Sequence, residues 1–310
     1  MTMKNLNKYL LMIILLVYSM ISNAQEQEER IDYKKIVTEI PNTSLYGLKM
    51  SFSKESLPWW GGIIGSTLVL YHNDEVILRD FQRTGRDLGL GNEDKTKAAL
   101  TSGQIDIIRL PTDIGSFMYF LGDGWMHFGI AGGFFLNGYY NQDNRAFNTS
   151  IRLVHGMTVS TIFNQFLKRS FGRESPYVRT EDKGRWRPYP SVAAYQEKTS
   201  QYDAMPSGHV MTATLTFTII NDAYPEYSNY IVPVGVTWIS LLGYQMVNNG
   251  VHWASDYPLG IAMGYVFAKA SMNMGKTQSE LEKVDSQKTT WMLMPYQDSE
   301  KEGLSLLWTY

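Results

Sequence analysis

The 310-residue sequence contains no cysteine, so no disulfide framework can stabilise the fold and packing must do so. It also lacks an excess of one charge, because 28 lysines and arginines face 30 aspartates and glutamates, for a formal net charge of −2. There is no basic stripe with interleaved aromatic residues, and nucleic acid is therefore not an expected partner. The chain does contain 44% hydrophobic and 13% aromatic residues, enough to bury the core of one or two domains.

The first 24 residues have the pattern of a secretory signal peptide. Lys4 and Lys8 form a basic start, and the apolar run Tyr9–Ile21 follows. Residues 22–24 then provide a small-x-small cleavage site. The pattern predicts an exported protein, periplasmic or associated with the cell envelope. An uncleaved membrane anchor is the alternative, although the run is short for a span.

Long apolar runs are scarce in the rest of the chain. The longest uncharged run is Tyr227–Val251, with Ile231–Val247 as its apolar part, and the mean hydropathy of the chain is −0.23. These values favour the buried core helices of a soluble protein. An integral membrane protein is the alternative, and a membrane surface is a candidate partner. The sequence gives no information on the oligomeric state.

We divide the chain into a signal peptide (1–24), a lead-in with one apolar helix (25–93), a helical domain (94–275) and a polar linker with a hairpin (276–310). In the lead-in, Tyr46–Phe52 is a candidate strand. Leu57–Tyr71 is the apolar helix, with Trp59 and Trp60 expected in the core. Arg83–Gly91 is rich in glycine and charge and is expected to be a loop.

Helical patterns then follow one another: Asp94–Ile108, Asp113–Leu121, Gly124–Tyr140, Asn144–Arg169, Ser207–Asp222, Tyr227–Val247, and a last helix from His252 or Asp256 to Met272. Gly172 is the expected stop of the fourth. Between the fourth and fifth, Ser170–Ala204 lacks clear periodicity. Its aromatic residues and prolines favour an ordered, functional lid. Near the end of the chain, Trp291–Tyr296 and Leu304–Tyr310 predict a β-hairpin.

One tetrapeptide, Pro206-Ser-Gly-His209, introduces the fifth helix. The free N–H groups of a helix start carry partial positive charge and suit an anion. A hydroxyl and a titratable imidazole lie beside them. The segment therefore predicts half of a phosphate site.

The other half is predicted by His252 and Asp256, four residues apart, and by Lys168 near the end of a long helix. A carboxylate at this spacing can accept a hydrogen bond from one ring nitrogen of the histidine. That bond fixes the tautomer and leaves the other nitrogen as a nucleophile. Taken alone, Lys168 is typical of a lysine that compensates the helix dipole.

In this order and spacing, the three stretches resemble the type 2 phosphatidic acid phosphatase superfamily, which includes bacterial acid phosphatases and vanadium haloperoxidases. The family pattern is Lys, six residues, Arg-Pro; then Pro-Ser-Gly-His; then Ser-Arg, five residues, His, three residues, Asp. The resemblance covers Asp94 to Met272. It implies an all-α helical bundle in which adjacent helix ends surround one phosphate.

The resemblance also implies roles for individual residues. His252 becomes the nucleophile that forms a phosphohistidine, Asp256 orients it, and His209 is the acid that protonates the leaving group. No metal and no cofactor are needed. The implied phosphate ligands are Lys168, Ser207 and the amide of Gly208.

The chain departs from the family at two cationic positions. Ser175 stands where the first motif has arginine, and Gln245-Met246 stands where the third motif has Ser-Arg. Removing one preorganised donor typically costs about 10²–10³ in rate. Arg173 lies two residues before Ser175, where family members often carry an arginine, and we expect it among the phosphate ligands. Three more arginines on the lid are further candidates to replace the lost charge: Arg179, Arg185 and Arg187.

Three functions are compatible with these residues. The first is an exported phosphohydrolase acting on a phosphomonoester or diphosphate, either a phosphorylated lipid or a small soluble molecule. The second is a non-catalytic relative that binds a phosphorylated ligand or serves as an envelope scaffold, in keeping with Ser175 and Met246. The third is a vanadate-dependent haloperoxidase, for which the two missing arginines are an equal handicap.

Overall fold

The computed structural model describes residues 29–102, 105–274, 290–297 and 302–309, and these are mainly helical. The expected signal peptide lies outside the described residues. The α-helices are α1 Lys35–Thr38, α2 Ile40–Ser51, α3 Leu57–Asp87, α4 Ile114–Phe120, α5 Gly124–Tyr140, α6 Asn144–Phe171, α7 Val192–Glu197, α8 Gly208–Ala223, α9 Ser228–Asn248 and α10 Tyr257–Met272. The strands are β1 Thr96–Ser102, β2 Ile105–Pro111, β3 Thr290–Gln297 and β4 Glu302–Thr309. These residues form two units, divided between residues 272 and 273.

Helices α6, α8 and α10 form the centre of the first unit, so the expected all-α bundle is confirmed. Burying a large apolar side chain stabilises a fold by about 1.5–3 kcal/mol. The buried apolar residues of this centre include Leu153, Met157, Val159, Met211, Leu215, Ile219, Met263 and Phe267. Helices α8 and α10 also approach closely at Gly260, where a Cβ atom would lie 2.7 Å from the Ser207 carbonyl oxygen. This contact brings the start of α8 against the start of α10.

Helix α3 is longer than the sequence suggested. The expected apolar helix ended at Tyr71 and Arg83–Gly91 was expected to be a loop, but α3 continues to Asp87. Its 31 residues span about 46 Å at 1.5 Å per residue. Asp74 and Leu78 are buried halfway along α3. The helix persists through the charged segment because this buried face continues to pack on the core.

The prediction of a helix over Asp94–Ile108 was wrong. Strands β1 and β2 pair antiparallel there, with Thr96 opposite Pro111 and Ser102 opposite Ile105. Threonine and isoleucine are frequent in the segment, and β-branched residues favour strands. The Ser102-Gly103 dipeptide between the two strands is a turn signal in the sequence.

Two expectations for the lead-in were also wrong. Tyr46–Phe52, the candidate strand, falls mostly within helix α2. Trp59 is 65% exposed, and Trp60 is only partly buried, stacked on Phe52 with ring centroids 5.8 Å apart. The tryptophan pair therefore lies at the surface of the first turn of α3, where only Trp60 packs against the end of α2 and donates to the Ser51 carbonyl at 2.7 Å.

The lid over 170–204 is ordered, as predicted. Gly172 ends α6 in the left-handed region with φ +57, and a Cβ atom there would collide with the Arg187 carbonyl. The buried Glu174 carboxylate then accepts hydrogen bonds from the N–H groups of Thr180 and Arg185 and from the Arg187 guanidinium. A turn at 176–178 and helix α7 complete the segment. One carboxylate thus holds the first half of the lid together.

The second unit contains the predicted C-terminal hairpin, in which β3 pairs antiparallel with β4 from Thr290–Thr309 to Gln297–Glu302.

Helix α9 is less buried than a core helix. Among the described residues, only the segment Pro225–Asn248 is long and apolar enough to cross a membrane, by length and composition. Only 33% of its most apolar window is buried inside the protein. The structure therefore differs from the expectation of a core helix here, because one face of α9 is not covered by any of the residues that the structure describes.

Candidate functional site

The start of helix α8 forms one wall of the site. Ser207 caps the helix, because its hydroxyl accepts a hydrogen bond from the Val210 N–H at 3.4 Å. The side chain of Asn164 lies beside Gly208, and its amide donates to the Pro206 carbonyl at 3.5 Å. Ser207 is fully buried, while His209 is only partly buried.

The loop between α9 and α10 forms the opposite wall. Gly250, with φ +70, turns the chain at the end of α9, and His252 follows in a buried position. The rings of His209 and His252 lie 6.0 Å apart, centroid to centroid, at an angle of 70°. The loop is tied to α8 by a hydrogen bond from the Ser207 N–H to the Asp256 carbonyl at 3.1 Å. The two predicted histidines are thus brought together.

Asp256 lies behind His252, with its Oδ2 atom 3.5 Å from His252 Nδ1. This is longer than a hydrogen bond, and catalytic hydrogen bonds are often long before substrate is bound. The same Oδ2 atom accepts from the Trp253 N–H at 2.8 Å. Burial by itself would raise the pKa of Asp256, but the Arg173 guanidinium and His252 outweigh it and lower that pKa from 3.8. Asp256 is therefore an anion directed at Nδ1.

Lys168 enters from the last turn of α6 and is largely buried. Its Nζ atom lies 3.3 Å from Oδ2 of Asp203, a lid residue four positions before Ser207. Lys168 is one of the charges that influence His209. The structure thus places the predicted lysine at the site, together with a carboxylate that the sequence had not indicated.

The pKa of His209 is well below its usual 6.5, first because of burial and then because of the nearby His252, Lys168 and His127. A neutral imidazole cannot protonate a leaving group. A phosphate dianion at the site would raise the pKa of His209 by opposing these charges. The expected acid role of His209 therefore depends on bound phosphate.

Arg173 does not fit the expected role of a phosphate ligand. It is fully buried, and a guanidinium has five N–H donors. Its Nη1 donates to Asp256 and Ser255, its Nη2 to Asp74 and the Lys183 carbonyl, and its Nε to that same carbonyl. All five donors are used, so none is left for phosphate. Arg173 supports Asp256 from behind.

The other three lid arginines have partners other than the two histidines. Arg179 donates to the Pro176 carbonyl and lies 3.5 Å from Glu75. Arg185 pairs with Glu181 at 3.7 Å in an exposed position, and Arg187 pairs with Glu174 at 3.0 Å. In this state of the protein, none of the three replaces the missing family arginines.

The residues at the two positions where the family has arginine, Ser175 and Met246, are both buried. Met246 is fully buried in an apolar cluster with Leu121, Ala213 and Leu242. Its neighbour Gln245 donates from Nε2 to the Gly91 carbonyl at 2.9 Å and to Asn249 Oδ1 at 2.7 Å. Ser175 is buried on the lid. These residues have structural partners of their own.

Three residues of the site were missed from the sequence. Asp74 lies on α3, far from every motif; Asp203 lies on the lid; and the Tyr119 ring lies 5.3 Å from that of His209. Burial and nearby acids raise the pKa of Tyr119 to about 12, so it remains a neutral phenol. Only Asp203 had a sequence signal, its nearness to Pro206.

Residues 149–280 match the family model described as the PAP2 superfamily. Among solved structures, the chain is similar to a protein described as the first transmembrane PAP2 type phosphatidylglycerolphosphate phosphatase from Bacillus subtilis. The identity is 14%, the TM-score is 0.40, and the similarity covers 73% of this chain and 98% of that one. A search of curated proteins found no match.

Proposed function

On the premise that residues 149–280 belong to the PAP2 superfamily, we propose that the protein is a phosphohydrolase that cleaves a phosphomonoester or diphosphate through a phosphohistidine. The observation that carries the proposal is the pair of rings of His209 and His252, 6.0 Å apart at the start of α8. A phosphoryl group between two such rings can be attacked from one side and protonated from the other.

The first half of the reaction uses the two histidines in different states. Nδ1 of His252 faces Asp256, so Nε2 is the nitrogen left to attack phosphorus. The Nε2–P bond forms as the P–O bond to the leaving group breaks, and His209 gives its proton to the departing oxygen. Asp256 stabilises the positive charge that develops on the ring of His252.

The second half regenerates the protein. A water molecule attacks the phosphohistidine and the N–P bond breaks. The water proton goes to His209, inorganic phosphate leaves, and His252 is neutral again. Lys168 and the N–H groups at the start of α8 stabilise the negative charge on the phosphoryl oxygens throughout.

We assign the protein to the cell envelope, in contact with a membrane, and favour a phosphorylated lipid as substrate. Large apolar side chains face outward on several helices, and among the described residues α9 is the helix that is long and apolar enough to cross a membrane. Lipid would cover these side chains as protein does not. A small soluble phosphate ester is the alternative substrate.

Phosphate release from purified full-length protein tests the proposal. The substrates are p-nitrophenyl phosphate, a short-chain phosphatidate and a lipid diphosphate in detergent micelles. We expect turnover by the wild type and at least a 10³-fold loss in His252→Gln, because the nucleophile is removed. His72→Gln, an exposed histidine on α3, is the matched control and should keep wild-type activity.

Trapping adds a second measurement. Wild-type protein quenched during turnover should carry one acid-labile phosphoryl group, and His252→Gln should carry none. Equal phosphate release by the wild type and His252→Gln would refute the mechanism.

A non-catalytic phosphate-binding protein is the second candidate. The observation in its favour is the reduced positive charge, because Lys168 is paired with Asp203 and the lid arginines have other partners. It predicts that phosphatidate binds equally to the wild type and His252→Gln, without turnover of any substrate. Calorimetric titration of both proteins with phosphatidate micelles distinguishes the two functions.

A further inference from the structure

Arg173 lies in an enclosure that binds it from every side. Three aromatic rings surround its guanidinium, those of Tyr71, Trp186 and Trp253, each 5.1–5.2 Å from Cζ. Two carboxylates hold its edges, Asp74 at 2.7 Å and Asp256 at 2.6 Å. Both pairs are fully buried, so water does not weaken them.

Asp74 reaches this cluster from helix α3, outside the segment 149–280 that matches the family. Its Oδ1 accepts from the Ser255 N–H at 3.1 Å, and its Oδ2 accepts from the Ser255 hydroxyl at 2.5 Å. Ser255 precedes Asp256 directly, so Asp74 also contacts the loop that carries the nucleophile. A single cation is thus shared by two carboxylates.

Because Arg173 is shared, the group of Asp74, Arg173 and Asp256 has a net negative charge that acts on His252. If Arg173 faced Asp256 alone, its charge would cancel most of the carboxylate's charge in this buried environment. Asp256 would then do little to stabilise the positive charge that develops on His252. The second carboxylate offsets the guanidinium, and the cluster as a whole keeps one negative charge.

We propose that Asp74 and Arg173 are positioning residues for the nucleophile: Arg173 fixes the carboxylate of Asp256, and Asp74 offsets the charge of Arg173 so that Asp256 still acts on His252 as an anion. The inference rests on the proposed function, because it names residues that support the same nucleophile. Neither Asp74 nor Arg173 touches the substrate.

The electrostatics of the cluster agree with this assignment. Burial raises the pKa of Asp74 from 3.8, and Asp256 adds to the rise, while Arg173 and Ser255 oppose it. The pKa of Asp256 is lowered, so Asp74 is the first of the two carboxylates to take up a proton in acid. The titratable and charged groups near His252 and its partners come from several elements: Asp74, Tyr119, Lys168, Arg173, Tyr177, His209, Asp256 and Tyr257.

Charge compensation distinguishes this role from a merely structural one. Three variants of the full-length protein are compared with the wild type: Asp74→Asn, the double variant Asp74→Asn with Arg173→Met, and the control Asp80→Asn. Asp80 lies on the same helix, in an exposed pair with Arg83. The readouts are the pH midpoint of the His252 ring by ¹⁵N-histidine NMR, assigned with His252→Gln, and the pH profile of kcat/KM.

Asp74→Asn leaves the Arg173 guanidinium paired with Asp256 alone, so its charge cancels that of Asp256. We therefore expect the His252 midpoint to fall by about one pH unit, a tenfold change in proton affinity. We expect kcat/KM to fall about tenfold with it. The double variant removes one positive and one negative charge together, so the proton affinity of His252 should return to within about threefold of the wild type. Its kcat/KM should recover only in part, because Arg173 no longer fixes the carboxylate of Asp256. Asp80→Asn should change neither.

If Asp74 and Arg173 had a purely structural role, the double variant would be at least as impaired as Asp74→Asn in both the His252 midpoint and kcat/KM. That result would overturn the inference. An unmoved midpoint in folded Asp74→Asn would also overturn it, and this variant alone decides if the double variant does not fold. If the midpoint moves as expected but even the wild type releases no phosphate, the proposed function fails while the charge relation stands.

Discussion

At the scale of single residues, the candidate phosphate site is nearly neutralised before any phosphate arrives. Lys168 matches the lysine of the first family motif, and its Nζ atom lies 3.3 Å from Oδ2 of Asp203. Because Asp203 is partly exposed, the interaction is screened and is worth about 1 kcal/mol or less. A bound phosphate must compete with this carboxylate.

Replacing Asp203 tests that competition. Asp203→Asn removes the competing anion, so we expect inorganic phosphate or vanadate to bind, and to inhibit any phosphate release, about three- to tenfold more tightly. The measurement is the inhibition constant, or the dissociation constant if turnover is absent. Asp222→Asn is the matched control, because Asp222 pairs with Lys269 near the other end of α8. Weaker inhibition would mean that Asp203 instead holds Lys168 in its binding position.

At the residue scale, the sequence identified side chains that the fold does bring together. His209, His252 and Asp256 were found because their motifs are short and local, and they lie together as expected. Asp74 could not be found, since its role depends on the packing of α3 against a loop about 180 residues away. Arg173 was assigned to phosphate because it lies two residues before Ser175 in the sequence. Sequence position does not reveal the direction of a side chain, and this one is directed at Asp74 and Asp256 instead.

At the scale of elements, the lid depends on one buried carboxylate. Burial alone would raise the pKa of Glu174, but the N–H groups of Thr180 and Arg185 and the Arg187 guanidinium lower it below 4.5. A carboxylate whose pKa is lower in the folded protein than in the unfolded chain stabilises the fold fully when the pH is above the unfolded-state pKa. That stabilisation is lost as the pH falls through the folded-state pKa. The lid should therefore be closed at neutral pH and loosen below pH 4.5.

Hydrogen exchange of residues 173–187 can follow this transition. We expect wild-type amides there to be protected at pH 7 and to lose protection as the pH falls below 4.5, after correction for intrinsic rates. Glu174→Gln should lack that protection already at pH 7, because its neutral amide cannot replace the carboxylate. Glu197→Gln, exposed on α7, should behave like the wild type. Unchanged protection in Glu174→Gln would assign the order of the lid to other contacts.

The sequence predicted the long elements better than the short ones. Helices α6, α8 and α9 were recognised because their apolar runs are continuous and Gly172 marks a clear end. Strands β1 and β2 were mistaken for a helix because their apolar residues also fit a helical repeat over such a short window. The length of α3 was missed because its last turns are charged and held by tertiary contacts.

At the scale of the whole molecule, the described surface is unusually apolar for a chain with a mean hydropathy of −0.23. Charged residues are frequent on the lid and on the second half of α3, while the outer faces of α5 and α9 are apolar. Large exposed side chains on these two faces include Trp125, Phe128, Phe135, Leu136, Val232, Val234, Val236 and Leu241. Average hydropathy hides this segregation, which is why the sequence favoured a soluble protein.

Membrane association can be tested on α9. Val232 and Val236 are exposed and one helical turn apart. Val232→Lys with Val236→Lys should reduce recovery of the protein in the membrane fraction and on lipid vesicles, because each lysine costs about 2.5–3.5 kcal/mol in the apolar layer. Asn229→Lys, exposed at the first turn of α9, is the control and should bind like the wild type. Equal recovery of all three proteins, with unchanged circular dichroism, would assign the apolar face to a protein partner.

The position of Asp74 also limits how this protein can be divided. A fragment cut at residue 94 or at residue 149 retains Arg173 and Asp256 but loses the second carboxylate, and its buried guanidinium is left with half of its counter-charge. Such a fragment would misrepresent the nucleophile even if it folded. Transplanting the site into another helical scaffold therefore requires α3 as well, and comparisons of related chains should examine the helix that precedes the three motifs.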